Sequence, residues 1–286
     1  MDVSFNTYPI LLRKFNYLEV DHTDGIGTKG VYHWKQGTLR AAVLDALAMN
    51  LNDLAIVRAT PFKLSNHITV PVEDIRVLKI VQAMARECQK RGIAIVGGEN
   101  SFHNNMDGLD ISMTVSGFIK KPAPNKFQVG DTLIGFKSSG LHSNGITTVR
   151  RLFKNTIRPE FTIPTAIYID IVLKLLHTHI IHGMMHITGG AFTKLKDVLG
   201  KADAVISHPS KLLPQAIFYE MYKKGLANKT MYSTFNCGIG FIVSVPKNEA
   251  AKIISKVKSA AVIGQVVKGT GAVHITSAFD GKVIKF

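Results

Sequence analysis

The chain has 286 residues, and its 35 Lys and Arg against 20 Asp and Glu give a formal charge of +15 and a pI near 9.8. With 46% hydrophobic and 19% charged residues it is too apolar for a disordered chain, and no apolar run approaches the roughly 18 residues of a membrane span. Its two cysteines, Cys88 and Cys237, exclude a disulfide framework and a cysteine-rich metal site, and no signal-peptide pattern is evident, so a reduced, soluble, cytoplasmic protein is expected.

At roughly 150 residues per domain, length predicts about two domains. Periodicity predicts alternating strands and helices. Residues 39–56 read as an amphipathic helix with Leu44, Leu47, Ala48, Leu51 and Leu54 on one stripe. Residues 72–91 read as a second, with Ile75, Leu78, Val81 and Ala85 inward and Gly92 as its stop. A short strand at 93–96 runs into Gly97-Gly98-Glu99, and 111–119 alternates as a half-buried strand. Two prolines and a lysine cluster at 120–127 break the pattern, which gives domains 1–122 and 123–286. Strand 132–136, helices 144–154 and 165–177, strand 184–188 and helix 191–199 follow. Strand 204–207, helix 211–224, strand 238–245, helix 247–258 and strands near 261–267 and 272–278 complete a protein of two α+β or α/β domains. No tandem repeat or low-complexity tract interrupts it.

Asp24-Gly25-Ile26-Gly27-Thr28-Lys29-Gly30 is the first candidate site. Its glycines match G-x-G-x-x-G, but VYHWKQG does not read as the helix a dinucleotide fingerprint opens, and the following acid, Asp45, falls mid-helix. An Asp before a donor-rich loop with a Lys suits a phosphate and its Mg2+; a plain glycine turn is the alternative. On the 39–56 helix, Asp45 and Asn52 lie about 20° apart beside the apolar stripe, with Asp53 about 80° further round. A carboxylate there needs a metal or a partner, and a helix-flank salt bridge is the simpler reading of that segment alone. Glu99 falls after a strand, where open sheets bind ligands. Asp24, Asp45, Asp53 and Glu99 together make an oxygen-rich set of the kind Mg2+ prefers.

Residues 138–145 (SSGLHSNG) join a strand to a helix and offer hydroxyls, an imidazole and free N–H groups, which suits an anion and is equally an N-cap cluster. The spacing is not that of a nucleophile elbow. Thr188-Gly189-Gly190 is a second such junction, and Cys237 reads as a packed small residue rather than a nucleophile. Charge is uneven: residues 1–125 hold 14 basic and 12 acidic side chains, net +2, and residues 126–286 hold 21 and 8, net +13. The lysines of the second half (Lys223, Lys224, Lys252, Lys256, Lys258) are scattered without interleaved aromatics, so a solvated basic surface is expected rather than a nucleic-acid platform.

In order, these segments resemble the phosphoribosylformylglycinamidine cyclo-ligase (AIR synthetase) family. The matching stretches are TDGIGTK (23–29), DALAMNLNDL (45–54), VGGE (96–99), GDTLIGFKSSGLHSNGITTVR (130–150), PTAIY (164–168), HITGG (186–190) and MYSTFNCGIG (231–240). The resemblance implies an N-terminal mixed-sheet domain that dimerises into a barrel and a C-terminal α/β domain, with ATP at the homodimer interface. It implies ATP-dependent closure of formylglycinamidine ribonucleotide to 5-aminoimidazole ribonucleotide in purine biosynthesis, through phosphorylation of the formyl amide oxygen. Carried over by motif, Asp24, Gly25, Gly27, Thr28, Lys29, Asp45, Asn52, Asp53 and Glu99 would serve ATP, with Asp24, Asp45, Asp53 and Glu99 holding Mg2+. Ser139, Gly140, His142, Ser143, Asn144, Gly189 and Gly190 would line the ribonucleotide site, and Lys29, Asp45 and His142 would be the catalytic groups. ATP-dependent small-molecule kinases share the superfamily; the AMNLND and HSNG runs favour the cyclo-ligase. Two stretches depart from the family. Arg58-Ala59-Thr60-Pro61 stands where it reads GAEP, and Asn100–Asn104 stands where it reads TAEMP, each without the acidic residue.

Overall fold

The structure, a computed structural model, describes residues 2–5, 9–12, 16–154 and 156–286. Two units divide it: Met1–Pro122 with Ile157–Ile169, and Ala123–Thr156 with Asp170–Phe286. Residues 157–169, which the sequence reading left in the second domain, therefore pack with the first.

The first unit runs β1 (Asp2–Phe5), β2 (Pro9–Leu12), β3 (Leu18–Gly25), α1 (Lys29–Gln36), α2 (Leu39–Ile56), β4 (Thr60–Val70), α3 (Arg76–Gln89), β5 (Ala94–Phe102) and β6 (Asp110–Ile119). β1 and β2 pair as a hairpin. The others form a mixed sheet in the order β3-β6-β4-β5, with only β4 and β5 parallel. Helix α2 packs on β3, β6 and β4 and is bordered by α1 and α3, so it is buried nearly all round rather than along one stripe. That position takes Asp45 and Asn52 out of solvent together with the leucines.

Four local differences from the sequence reading have physical causes. Residues 29–36 do form a helix, closed by Gly37 in the left-handed conformation. β4 was not anticipated, because Asn66 interrupts its buried alternation of Phe62, Leu64, Ile68 and Val70 and a bulge follows Pro61. β5 continues through Gly97 and Gly98 to Phe102, which places Glu99 mid-strand rather than at a turn. On α3 the buried face is Ile80, Ala83, Met84, Glu87 and Cys88, while Ile75, Leu78 and Val81 are exposed. Glu87 can turn inward because Arg40, Lys90 and Arg91 all reach it; they outweigh burial and hold its carboxyl at about 2.

The second unit runs β7 (Thr132–Lys137), α4 (Ile146–Phe153), α5 (Ile169–Thr178), β8 (Gly183–His186), α6 (Lys196–Leu199), β9 (Ala202–Ile206), α7 (Ala216–Lys223), α8 (Asn228–Thr234), β10 (Ile239–Val245), α9 (Lys247–Lys256), β11 (Ala260–Lys268), β12 (Val273–Thr276) and β13 (Val283–Lys285). Its sheet has the order β13-β12-β9-β11-β7-β10-β8, and β9–β12 is the parallel pair. β8 and β10 are buried at every residue, so both faces of the sheet are covered there. α7 starts at Ala216 rather than 211, since Pro214 holds Leu213 in an extended conformation. Among the described residues no helix is long and apolar enough to cross a membrane.

Candidate functional site

Lys29, Tyr32, His33 and Gln36 recur at i, i+3, i+4 and i+7 and so share one face of α1. Lys29 donates to both Asp45 oxygens at 2.9 Å and to the Ile163 carbonyl at 2.7 Å. His33 donates through Nε2 to Asp45 Oδ2 at 2.8 Å. The Tyr32 ring lies 4.9 Å from that of Phe161, and Gln36 donates to the Arg158 carbonyl at 3.0 Å. From the other side, Thr165 gives Asp45 both its backbone N–H (2.8 Å) and its hydroxyl (2.6 Å). A Cβ on Gly30 would sit 1.8 Å from the Leu109 carbonyl oxygen, so only glycine lets α1 approach so closely.

Lys29 and Asp45, expected at the nucleotide, lie in the interior of the first unit. Both have 0% exposure, and each is engaged by the other and by the 157–169 segment. Burial would raise the Asp45 pKa, but Lys29, His33 and Thr165 outweigh it and hold the carboxyl at about 2. Burial pushes the Lys29 ammonium down, so its charge depends on Asp45. Asn52, also expected at the nucleotide, is buried, donates to the Ala166 carbonyl at 2.9 Å and accepts the Tyr168 N–H at 2.7 Å.

Asp24 and Asp53 are half-buried. Asn50 donates to the Asp24 carbonyl at 3.1 Å and faces His22 Nδ1 at 3.0 Å, while His22 Nε2 is 3.4 Å from Asp53. The Asp53 contact raises the His22 pKa against the opposing effect of burial, and Asp24 adds to the rise. Glu99 is exposed on β5, opposite His67 in the β4–β5 register. The four expected metal carboxylates do not converge. Among the described residues no group of three His, Cys, Asp or Glu could hold a metal ion. Beside β3, an open hollow of about 210 Å³ is lined by Thr23, Ser65, Asn66, His67, Ser112, Met113 and Thr114.

In the second unit, register places the ends of β7 and β8 beside the start of β10: Lys137 lies opposite Ile239, and His186 opposite Phe241. Three loops therefore meet at one end of three adjacent strands. Asn144 donates to the Thr188 hydroxyl at 2.6 Å, and a Cβ on Gly189 would lie 3.0 Å from the Asn144 carboxamide oxygen. His142 is buried with its ring 5.5 Å from that of His186. Asn236 donates to the Gly140 carbonyl at 2.7 Å and accepts the Gly238 N–H at 3.0 Å. Gln215 donates to the Ser138 carbonyl at 2.7 Å. The runs containing Ser139, Gly140, His142, Ser143 and Asn144 and containing Gly189 and Gly190 are thus neighbours. Cys237 is fully buried in the turn that Asn236 bridges, where burial pushes its thiol far up.

The comparisons agree with this two-unit arrangement. Residues 16–119 match the family described as AIR synthase related protein, N-terminal domain, and residues 128–276 match its C-terminal domain. A phosphoribosylformylglycinamidine cyclo-ligase of Thermococcus kodakarensis is 33% identical over 268 residues, spanning 87% of this chain and 79% of that one. The chain belongs to the phosphoribosylformylglycinamidine cyclo-ligase (AIR synthase) family. A family member of the same name from Methanococcus maripaludis is 34% identical over 260 residues, 84% of this chain and 74% of its own. Among solved structures, the hydrogenase maturation protein HypE superposes with a TM-score of 0.73 at 18% identity, covering 98% of this chain and 91% of that one. A HypE complex with ATP gives 0.71 at 18% identity over 98% of this chain and 87% of that one. A thiamine-monophosphate kinase of Stenotrophomonas maltophilia gives 0.67 at 18% identity, over 98% and 92%. At these identities the structures show a shared fold.

Sequence reasoning missed His22, Asn50, Thr165, His186, Gln215 and Asn236. Each acts through a partner more than 25 residues away in the chain, and only the i, i+3, i+4, i+7 stripe of α1 left a local signal.

Proposed function

We propose that this protein closes formylglycinamidine ribonucleotide to 5-aminoimidazole ribonucleotide at the expense of ATP. The observation that carries the reading is the meeting of the 138–145, 186–190 and 236–240 loops in a chain one-third identical to proteins named for this activity. The formyl amide oxygen takes the γ-phosphoryl group and ADP leaves. The amidine nitrogen then attacks the same carbon, the C–O bond breaks and phosphate departs with the ring closed.

The ATP phosphates are assigned to the Asp24–Thr28 loop, with Asp24, Gly25, Gly27 and Thr28 nearest. Nothing lies within 4 Å of where a Gly27 Cβ would be, which leaves room for a ligand at this donor-rich turn. Asp24 and Asp53 fit the one or two carboxylates that Mg2+ takes beside phosphate oxygens; Glu99, on the opposite edge of the sheet from Asp24, and Asp45, already saturated by donors, do not. Bound there, Mg2+ would neutralise charge on the transferring group. Ser139, Gly140, Ser143, Asn144, Gly189 and Gly190 are assigned to the ribonucleotide, which they hold and orient for ring closure. His142, buried against His186, is assigned to hold the proton lost from the amidine nitrogen. A homodimer formed through the first unit's sheet completes the proposal, supported by α2 covering one face of that sheet and leaving the hydroxyl-lined hollow open. A cytoplasmic location accords with the two reduced, buried cysteines.

Purified protein with formylglycinamidine ribonucleotide, ATP and Mg2+ is expected to give aminoimidazole ribonucleotide, ADP and phosphate in equal amounts. No product above the enzyme-free control overturns the assignment.

A further inference from the structure

Residues 157–169 leave the second unit after α4, pack with the first unit, and return at α5. They meet α1 along the stripe Lys29, Tyr32 and Gln36: Ile163 O accepts from Lys29, the Phe161 ring lies on Tyr32, and Arg158 O and the Thr162 hydroxyl bond Gln36. Thr165 supplies two of the donors that saturate Asp45, which in turn holds Lys29 and His33. Asn52 fixes the far end of the segment at Ala166 and Tyr168. Lys29 directly follows Thr28, the last residue of the Asp24–Thr28 loop. Its ammonium is fully buried and its position is set by Asp45 and by the Ile163 carbonyl, both held by this segment.

We propose that residues 157–169 are a strap that positions the Asp24–Thr28 loop for nucleotide, with Thr165 and Gln36 as positioning residues acting through Asp45 and α1. The inference rests on the reading of that loop as the ATP site. Physically, a helix that starts one residue after a ligand loop transmits its own placement to the loop. α1 is only 8 residues long, too short to hold itself without packing partners. The strap and α2 are those partners. Loosening the strap leaves the loop chemically intact and makes its bound geometry one of several, which lowers affinity in proportion to the lost population.

The test compares wild-type protein with Thr165→Val, Thr165→Ser and Gln36→Ala. Thr165→Val keeps the shape and removes one charge-assisted hydrogen bond to Asp45; Thr165→Ser restores it. Three quantities are measured: KM for ATP, KM for formylglycinamidine ribonucleotide, and calorimetric binding of a non-hydrolysable ATP analogue with Mg2+, alongside Tm. Thr165→Val is expected to raise KM for ATP and weaken the analogue by about five- to tenfold, leave KM for the ribonucleotide within about twofold, and be rescued by Thr165→Ser. Gln36→Ala, at the half-buried end of the stripe, is expected to move the same two quantities by about two- to threefold, and it decides the matter if Thr165→Val does not fold. Unchanged ATP parameters in a folded Gln36→Ala or Thr165→Val protein overturn the strap's role, as does a parallel change in both KM values. Wild-type protein that fails to bind the analogue overturns the reading of the loop, and the strap's role with it.

Discussion

Replacing Asp45 with Asn removes the negative charge from a site with 0% exposure where Lys29, His33 and both donors of Thr165 converge within 2.6–2.9 Å. The carboxamide can accept through one oxygen only, and its NH2 group faces donors. The Lys29 ammonium is left buried without a counter-charge. Removing one partner of a buried pair costs about 3–5 kcal/mol. In a unit of this size that lowers Tm by on the order of 10–20 °C. An independent route gives the same order: a carboxyl held at about 2, against about 3.9 in an unfolded chain, contributes about 2–3 kcal/mol above both values. Because the folded pKa is the lower one, that contribution is complete above about pH 5 and disappears as pH falls toward 2. Wild-type protein should therefore lose stability along an acid limb in that window, and Asp45→Asn should show a shallower one. Thermal and urea unfolding followed by circular dichroism between pH 3 and 8 measure both. The double variant Lys29→Met/Asp45→Leu should recover a large part of the loss, since an apolar pair replaces the stranded charge. Asp45→Asn protein with a Tm within about 2 °C of wild type and abolished ATP use would refute this reasoning and return Asp45 to the nucleotide.

Arg58 sits at φ +62° just past α2, where Ala59 N–H bonds the Leu54 carbonyl; Arg58→Gly should stabilise the protein by about 1 kcal/mol, raising Tm by a few degrees, and no gain would show that the position carries no strain. Asn236→Ala strands the Gly140 carbonyl and the Gly238 N–H, so kcat/KM for the ribonucleotide should fall at least tenfold with KM for ATP unchanged, a split that steady-state kinetics reads directly. Cys88 and Cys237 are buried, and burial pushes the Cys88 thiol up to about 12; neither should react with a thiol reagent in minutes at pH 8 until denaturant is added, when both should titrate. Rapid native labelling would contradict the burial of both.

Elements whose pattern is local were legible in sequence. The 39–56 helix was read to the residue, because Leu and Ala recur at helical spacing within one window. The strands at 111–119, 132–136 and 238–245 likewise lie within a residue or so of their observed bounds. The α3 face was misread for the opposite reason: Ile75, Leu78 and Val81 match the period, yet burial of Glu87 by Arg40 of α2 and by Lys90 and Arg91 just past α3 turns a different face inward. The convergence of the SSGLHSNG and HITGG runs was likewise beyond local pattern, since it depends on β10 lying between β7 and β8.

By itself the sequence determined the family that the chain's motifs belong to and the positions of the strongly periodic elements. These follow from residue type and short spacing. Only the tertiary structure decided which charged groups are enclosed with partners. Asp24, Asp45 and Asp53 look alike in a sequence, but α2 and the 157–169 segment enclose Asp45 with Lys29 and leave Asp24 and Asp53 half-buried. The cost of burying a charge depends on which segment returns to cover it, and that segment lies more than 110 residues further along the chain.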